Sequence, residues 1–337
     1  MNNPLVSIVI PSYNRADFMM RTLDSAINQT YENIEILVCD NASTDRTSEI
    51  VAKFQAMHPE RNIRYIRHDT NIGPVRNWFS GIHESKGEFI KILFSDDYLY
   101  PNAVKSLLLP IANTNYAFSY GKVHNLWEGS KGIKVTNFGR QRPGNLVRTM
   151  DYIAGFFSPE QAFEDYPVSP CSALMRTEVL KKIPLEKFTD SVGIDVVASG
   201  IGPDMLMFLY SFLLVGDNAY YVNEHVAVFE GHKESITVTS TLDKLDDHNF
   251  SAVMKFYSLL PEQCKIKEVI EQQFDALATQ PNFFRRPKDR LEIMNRGCGY
   301  IPKPRKPDFP TIGIVLSFYR RCIRAFEYRF GLVKKML

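Results

Sequence analysis

Two adjacent carboxylates, Asp96 and Asp97, end the apolar run Phe89-Ile90-Lys91-Ile92-Leu93-Phe94-Ser95. Like charges held side by side repel, and a hard divalent cation shared with phosphate oxygens would relieve that repulsion. An acidic turn closing a strand is the plain alternative. Other groups able to do chemistry recur after similar runs: Tyr13 and Arg15 in Pro11-Ser12-Tyr13-Asn14-Arg15, Asp40 in Asp40-Asn41-Ala42-Ser43-Thr44-Asp45, and Asn71 in Asn71-Ile72-Gly73-Pro74. Farther on, Gly200-Ile201-Gly202-Pro203-Asp204 delivers one carboxylate to the first turn of an apolar segment. Taken alone, that acid complements a helix dipole, an effect worth about 0.3–1 kcal/mol. His232, in the polar stretch Glu230-Gly231-His232-Lys233-Glu234, is by itself an ordinary loop histidine.

The elements carrying these groups alternate. Val6–Ile10, Ile34–Cys39, Ile63–Arg67 and the run before Asp96 read as buried strands, being short, apolar and rich in β-branched residues. Asp17–Asn28, a segment capped by Ser43 or Thr44 and running to Met57, and the segment after Pro74 read as helices. Strand and helix in alternation predict a parallel, doubly wound α/β half-sheet. In such sheets ligands bind beyond the carboxyl ends of the strands, where Tyr13, Asp40, Asn71 and Asp96-Asp97 fall. No GxGxxG or GxxxxGK[ST] follows any of the strands, so a dinucleotide fold and a P-loop are both unsupported.

After Tyr98, the sequence predicts a short apolar helix to Leu109, then strand-like pieces at Tyr116–Val123 and Gly132–Val135, which suit a mixed second half. Gly139–Gly144 reads as a mobile loop, Cys171–Arg176 as a strand leading into a helix from Thr177, and Asp243–Thr279 as helical. The five cysteines are scattered, odd in number and without a CxxC pair, which argues against a disulfide framework and a zinc cluster. With no signal-like segment at the start and no run long enough to span a bilayer, the expectation is a cytoplasmic protein.

The net charge of +2 hides an asymmetry: residues 281–337 hold 14 Lys and Arg against 4 Asp and Glu. Within them, Arg285–Pro310 reads as a basic, Pro-rich linker. Residues 311–337 read as an amphipathic helix, with Ile312, Tyr319, Phe326, Phe330 and Val333 at helical spacing and Arg and Lys mainly elsewhere. That pattern suits peripheral contact with the cytoplasmic membrane face, and equally docking on a partner or on the chain's own core. No nucleic-acid module accompanies it.

Val6–Arg15, Asp40–Asp45, Asn71-Ile72-Gly73 with Asn77, and Phe94-Ser95-Asp96-Asp97, in this order and spacing, resemble the family-2 glycosyltransferases. The match is dense to Asp97 and thins toward His232. It implies a GT-A fold: α/β, a mixed but mainly parallel sheet flanked by helices, here with a C-terminal helical extension. Residues 1–110 would form the nucleotide-sugar half, 111–240 the acceptor half and 241–337 the extension.

The resemblance further implies a nucleotide-sugar donor, usually a UDP-sugar, a divalent metal (Mn²⁺ or Mg²⁺), and inverting transfer of a hexosyl-type sugar to a glycan or lipid-linked acceptor, as in surface polysaccharide synthesis. Pro11 and Tyr13 would then line the base, Arg15 would lie near the phosphates, and Asp40 would accept from the base N–H. Asn71 would border the crevice, Asp96 would hold the ribose and Asp97 the metal. Arg76 would help neutralise the diphosphate, or lie exposed on its helix. Asp204 stands where the family's base is expected and His232 where a histidine completes the metal site. Two departures are visible. Pro203 replaces the acid that commonly precedes the base, which leaves Asp195 and Asp190 as alternatives, and Phe94 stands where many members carry a further Asp. A nucleotidyltransferase on a related sheet, or a sugar-nucleotide-binding protein without transfer activity, are the rival readings.

Overall fold

Val6–Ser12 (β1) is buried along its whole length, as an unbroken β-branched run must be when helices cover both faces of a parallel sheet. In the computed structural model, which describes residues 3–127, 134–136, 145–157, 166–167, 169–189, 194–233, 235, 239–240 and 242–278, this strand lies between two parallel neighbours. Ile34–Asp40 (β2) pairs with it on one side, Val9 opposite Leu37, and Phe89–Ile92 (β4) on the other, Val9 opposite Ile92. Ile63–Arg67 (β3) extends the parallel set beyond β2. The crossovers are the helices Ala16–Ile27 (α1), Thr47–Met57 (α2) and Pro74–Glu84 (α3).

Beyond β4 the sheet becomes mixed. Tyr98–Leu99 (β5), Phe118–Trp127 (β6), Lys134–Thr136 (β7), Leu146–Arg148 (β8), Ala173–Arg176 (β9) and Asn218–Gly231 (β10) complete the order β3-β2-β1-β4-β9-β6-β10-β5, with β7 on β6 and β8 on β10. β9 runs antiparallel to both β4 and β6, whereas β10 runs parallel to β6. β10 shifts register against β6 around His225, a bulge that bends its far end. Both halves therefore share one sheet. The mixed α/β architecture expected from the sequence is present, including helices at the C-terminal side, Leu242–Leu259 and Lys265–Ala278.

Some local expectations needed correction. Ser43 and Thr44 do not cap α2, which begins at Thr47 with no side-chain cap on its N-cap residue. Ser43 is drawn to Asp40 instead, and Asp45 Oδ1 accepts from Thr47 N at 3.0 Å, taking over the capping work two residues before the helix starts. The strand before the paired acids stops at Ile92, so Asp96 and Asp97 sit in a turn closed by Asp97 N to Phe94 O at 2.9 Å. Pro170–Ser172 forms a 3-10 turn before β9 rather than strand, and the helical stretch expected over Asp243–Thr279 is present as two helices separated around Pro261. The segments 139–144, 285–310 and 311–337 and the alternative base Asp190 lie outside the described residues.

Close packing sets the spacing of α3 on the sheet. A Cβ at Gly81 would stand 2.5 Å from Val9 Cγ1 and 2.7 Å from Cys39 Sγ, so only glycine lets α3 settle over β1 and β2. That contact fixes where Asn77, one turn earlier, reaches the strand ends. No helix among the described residues is long and apolar enough to cross a membrane.

Candidate active site

The loops after β1 and β2 are laced together by side chains that the turn-rich sequences supply. Asn14 takes a left-handed backbone (φ 51°), accepts Thr44 N at 2.8 Å on its side chain, and donates its own N–H to Ser43 Oγ at 2.9 Å. Asp45 Oδ2 accepts Ala16 N at 2.9 Å and Thr47 Oγ1 accepts Arg15 N at 3.1 Å. Asn77 ties the two strand ends through Nδ2 to Cys39 O at 2.8 Å, and Asn71 Oδ1 accepts Asn41 Nδ2 and Gly73 N, both at 2.9 Å. Pro11 is buried at the end of β1, while Tyr13, just past it, is 43% exposed. An aromatic face fixed on a braced loop and left open to solvent has room for a planar group to stack on it.

Asp40 behaves differently from the sequence expectation of an open base acceptor. It is fully buried, and each of its oxygens is engaged. Oδ1 accepts from Ser43 N at 3.0 Å and from the Ser43 hydroxyl, while Oδ2 accepts from the Tyr65 hydroxyl and lies 3.5 Å from Arg67 Nε. A carboxylate offers about four lone-pair sites; three donors hydrogen-bond to Asp40 and the Arg67 guanidinium faces it as an ion pair. Fully buried behind these groups, Asp40 meets a base N–H only if one of them moves aside. Burial and the Asp40 charge push the Tyr65 phenol up, so it stays a donor.

Asp96 and Asp97 share a turn but face different surroundings. Asp96 Oδ2 lies 2.9 Å from His232 Nε2 and 3.8 Å from Arg15 Nε. The His232 ring stacks on Phe18, with centroids 4.9 Å apart. Asp97 is only 6% exposed; its Oδ1 accepts from Glu230 N on β10 at 3.0 Å, and its carboxylate also accepts from the Cys171 thiol. Burial first, and then the neighbouring Asp96, raise the Asp97 pKa well above the carboxylate range; Glu230 N–H, Cys171 and the Lys91 ammonium pull against that rise. The turn is pinned from α1, where the Thr22 hydroxyl donates to the carbonyls of Ser95 at 3.0 Å and Asp97 at 2.9 Å. Arg21 donates to Asp96 O at 3.2 Å, pairs with Glu230, and lies 4.7 Å over the Tyr98 ring.

His232 and Asp96 thus come together, with Arg15 beside them and Asp97 behind. Arg76 is exposed on α3, and among the described residues no hydrogen bond or ion pair joins it to either acid. Asp204 lies in the first turn of the helix Pro203–Val215, after Gly202 at φ 105°. A side chain at Gly202 would be strained in that backbone and would press on Ala252. Asp204 is half-buried, its Oδ1 is fully buried with no hydrogen-bond partner, and desolvation raises its pKa to about 7. Asp195 is committed elsewhere: its Oδ1 accepts from Ala198 N at 2.8 Å, capping the helical turn Val196–Ser199.

Thr22, Arg21, Phe18, Cys171 and Glu230 were not identified from the sequence, because each reaches the acids, or in the case of Phe18 the His232 ring, across more than seventy positions. Lys91 carried a readable signal, a lone charge in an otherwise apolar strand.

Residues 7–183 match the sequence profile of glycosyl transferase family 2. Chondroitin synthase of Pasteurella multocida is 40% identical over 105 residues, covering 31% of this chain and 11% of the synthase. The matches take in about a fifth of the length of other curated relatives, uncharacterised glycosyltransferases of Rickettsia. Among solved structures, residues 1–349 of S. aureus TarS in complex with UDP-GlcNAc superpose with a TM-score of 0.63 at 16% identity, covering 87% of this chain and 81% of that one. Mannosyltransferase PcManGT of Pyrobaculum calidifontis, in complex with GDP-Man and Mn²⁺, gives a TM-score of 0.56 at 14% identity, covering 98% and 83%.

Proposed function

This chain belongs to glycosyl transferase family 2, and on that premise we propose that it moves a sugar from a UDP-sugar to an acceptor hydroxyl with inversion, in the assembly of a surface polysaccharide or glycan. One observation carries the donor reading: the exposed Tyr13 ring and Arg15 follow the carboxyl end of β1, Asp96 follows its neighbour β4, and His232, just past β10, meets Asp96 beside Arg15. A base on Tyr13 and a ribose diphosphate reaching toward Asp96 and Asp97 fit that spacing of roles. The UDP-GlcNAc held by TarS and the polysaccharide made by the chondroitin synthase support the choice of donor and product class.

A divalent ion fits the donor chemistry at the paired acids, since carboxylate oxygen and imidazole nitrogen both suit Mn²⁺ and carboxylate suits Mg²⁺. Asp97 would hold it, with His232 as the second protein ligand once it exchanges its Asp96 contact. Among the described residues no group of three or more His, Cys, Asp and Glu could hold a metal, so phosphate oxygens and water would fill the remaining positions. When bound, such an ion supplies Lewis-acid neutralisation of the departing diphosphate. Arg15 adds a fixed positive charge on the same side. Asp204 Oδ1, buried and unpartnered, is the atom best suited to take the acceptor hydroxyl proton, and a pKa of about 7 matches a general base working near neutral pH. Attack then comes from the face opposite the leaving group, as inversion at the anomeric carbon requires.

The test is a panel of nucleotide sugars with Mn²⁺ or Mg²⁺, read by released nucleoside diphosphate. Asp97→Asn should abolish release while leaving the thermal unfolding curve in place; wild-type turnover in that variant would refute the assignment.

A further inference from the structure

One guanidinium nitrogen of Arg21, on α1, serves two groups of the site. Nη2 donates to Asp96 O at 3.2 Å and pairs with Glu230 Oε2. The Glu230 carboxylate is therefore a third acid at the turn that carries Asp96 and Asp97, brought there by β10. The backbone fixes it in place, since Glu230 N donates to Asp97 Oδ1 at 3.0 Å. Glu230 Oε2 is fully buried, and among the described residues Arg21 is the cation paired with it.

Arg21 is itself held. Its guanidinium lies 4.7 Å over the Tyr98 ring of β5, a contact that favours one orientation of the planar group. Phe18, three residues earlier on the same face of α1, stacks on the His232 ring with centroids 4.9 Å apart. Phe18 and Arg21 thus grip His232 and Glu230, two residues apart around the end of β10.

We infer that Arg21 is a positioning residue for the donor site, which holds and neutralises the Glu230 carboxylate so that an anionic diphosphate can approach the Asp96–Asp97 turn. The inference rests on the donor reading above. A buried carboxylate stripped of its cation acts through a medium that screens poorly, so a diphosphate reaching toward Asp96 would meet an additional uncompensated negative charge. Arg21 spends its own charge inside the protein, with Nη2 shared between two acceptors and its plane set against Tyr98.

The experiment measures UDP affinity of the full-length protein by calorimetry at pH 8 with Mn²⁺ or Mg²⁺ present. Arg21→Met leaves Glu230 charged and unpaired, and should weaken UDP binding at least ~10-fold. Arg21→Lys keeps a cation for Glu230 and should recover most of that loss. The double variant Arg21→Met with Glu230→Gln lacks both charges and should return to within about threefold of wild type, although it has no arginine. Arg21→Met that folds, judged by circular dichroism, and binds UDP like wild type overturns the inference. So does a double variant as weak as Arg21→Met, which would mean that the arginine meets the donor directly or serves only the fold. Glu230→Gln alone removes the acid and keeps the cation, so it should bind UDP no more weakly than wild type; weaker binding overturns the inference whatever the folding of the Arg21 variants. A wild type that does not bind UDP overturns the donor reading of the site, and this inference with it.

Discussion

Replacing Asp204 by Asn removes a titrating group while keeping its shape, and the structure fixes the sign of the result. Burial lifts the Asp204 pKa from 3.8 to about 7. At about 1.36 kcal/mol per pKa unit, a rise of roughly three units has a ceiling of about 4 kcal/mol. The residue is only half-buried, so solvent screening reduces this to about 2 kcal/mol. Because the folded pKa lies above the unfolded one, the native state binds more protons between pH 4 and pH 7. The associated stability is complete below about pH 4 and is lost as pH rises through 7. Asn does not titrate. The stability of Asp204→Asn relative to wild type should therefore grow by about 2 kcal/mol from pH 4.5 to pH 8 in urea unfolding, while turnover falls by at least ~10²-fold and UDP still binds. A stability difference that stays flat with pH would refute the burial argument. Asp195→Ala should instead cost about 1 kcal/mol through the lost cap and leave turnover nearly intact. If Asp195→Ala stops transfer and Asp204→Asn does not, the base has been assigned to the wrong carboxylate.

Two further outcomes follow from separate features. Tyr13→Ala should weaken UDP binding by about 1–3 kcal/mol, the worth of one base stacked on an aromatic ring, with little change in stability because Tyr13 is exposed; unchanged affinity by calorimetry would remove Tyr13 from the site. Gly81→Ala forces a methyl group against Val9 and Cys39 and should destabilise the chain by about 1–3 kcal/mol in urea unfolding, whereas an unchanged midpoint would mean that α3 can lift off the sheet without cost.

The parallel half of the fold was legible because its strands are local and continuous: Val6–Ser12, Ile34–Asp40, Ile63–Arg67 and Phe89–Ile92 each bury a run of neighbouring side chains, and each is followed at once by its polar loop. The places of Tyr13, Asp40, Asn71 and Asp96-Asp97 at the strand ends were legible for the same reason, since a residue at or just past the end of a parallel strand has its position set by that strand. β10 was not read at all. Its apolar residues are interrupted by Asn223, Glu224 and His225, where the bulge breaks the two-residue alternation that would have marked it. Asp40 was placed correctly and its surroundings were not, because Tyr65 and Arg67 come from β3, whose pairing with β2 brings them alongside only once the sheet exists.

That difference between local and non-local positioning also explains how the two walls of the site are joined. The wall that carries Tyr13, Asp40 and Asn71 rests on successive strand ends and forms with the parallel sheet. The opposite wall reaches Asp96 and Asp97 through β10, which contributes the Glu230 N–H, and through His232 just after it, more than 130 positions away in sequence. The chain returns there only because β9 and β6 continue the sheet from β4 out to β10, so the strand carrying Glu230 is placed three strands from the strand that precedes the acidic turn. β5, the two-residue strand just after Asp97, closes the circuit by pairing antiparallel with β10, Tyr98 opposite Val228. The acidic turn is therefore held from both sides, by Thr22 on α1 and by β10 through β5 and Glu230. A change that loosens the pairing of β5 with β10 should disturb Asp97 while leaving Tyr13 and its braced loop in place.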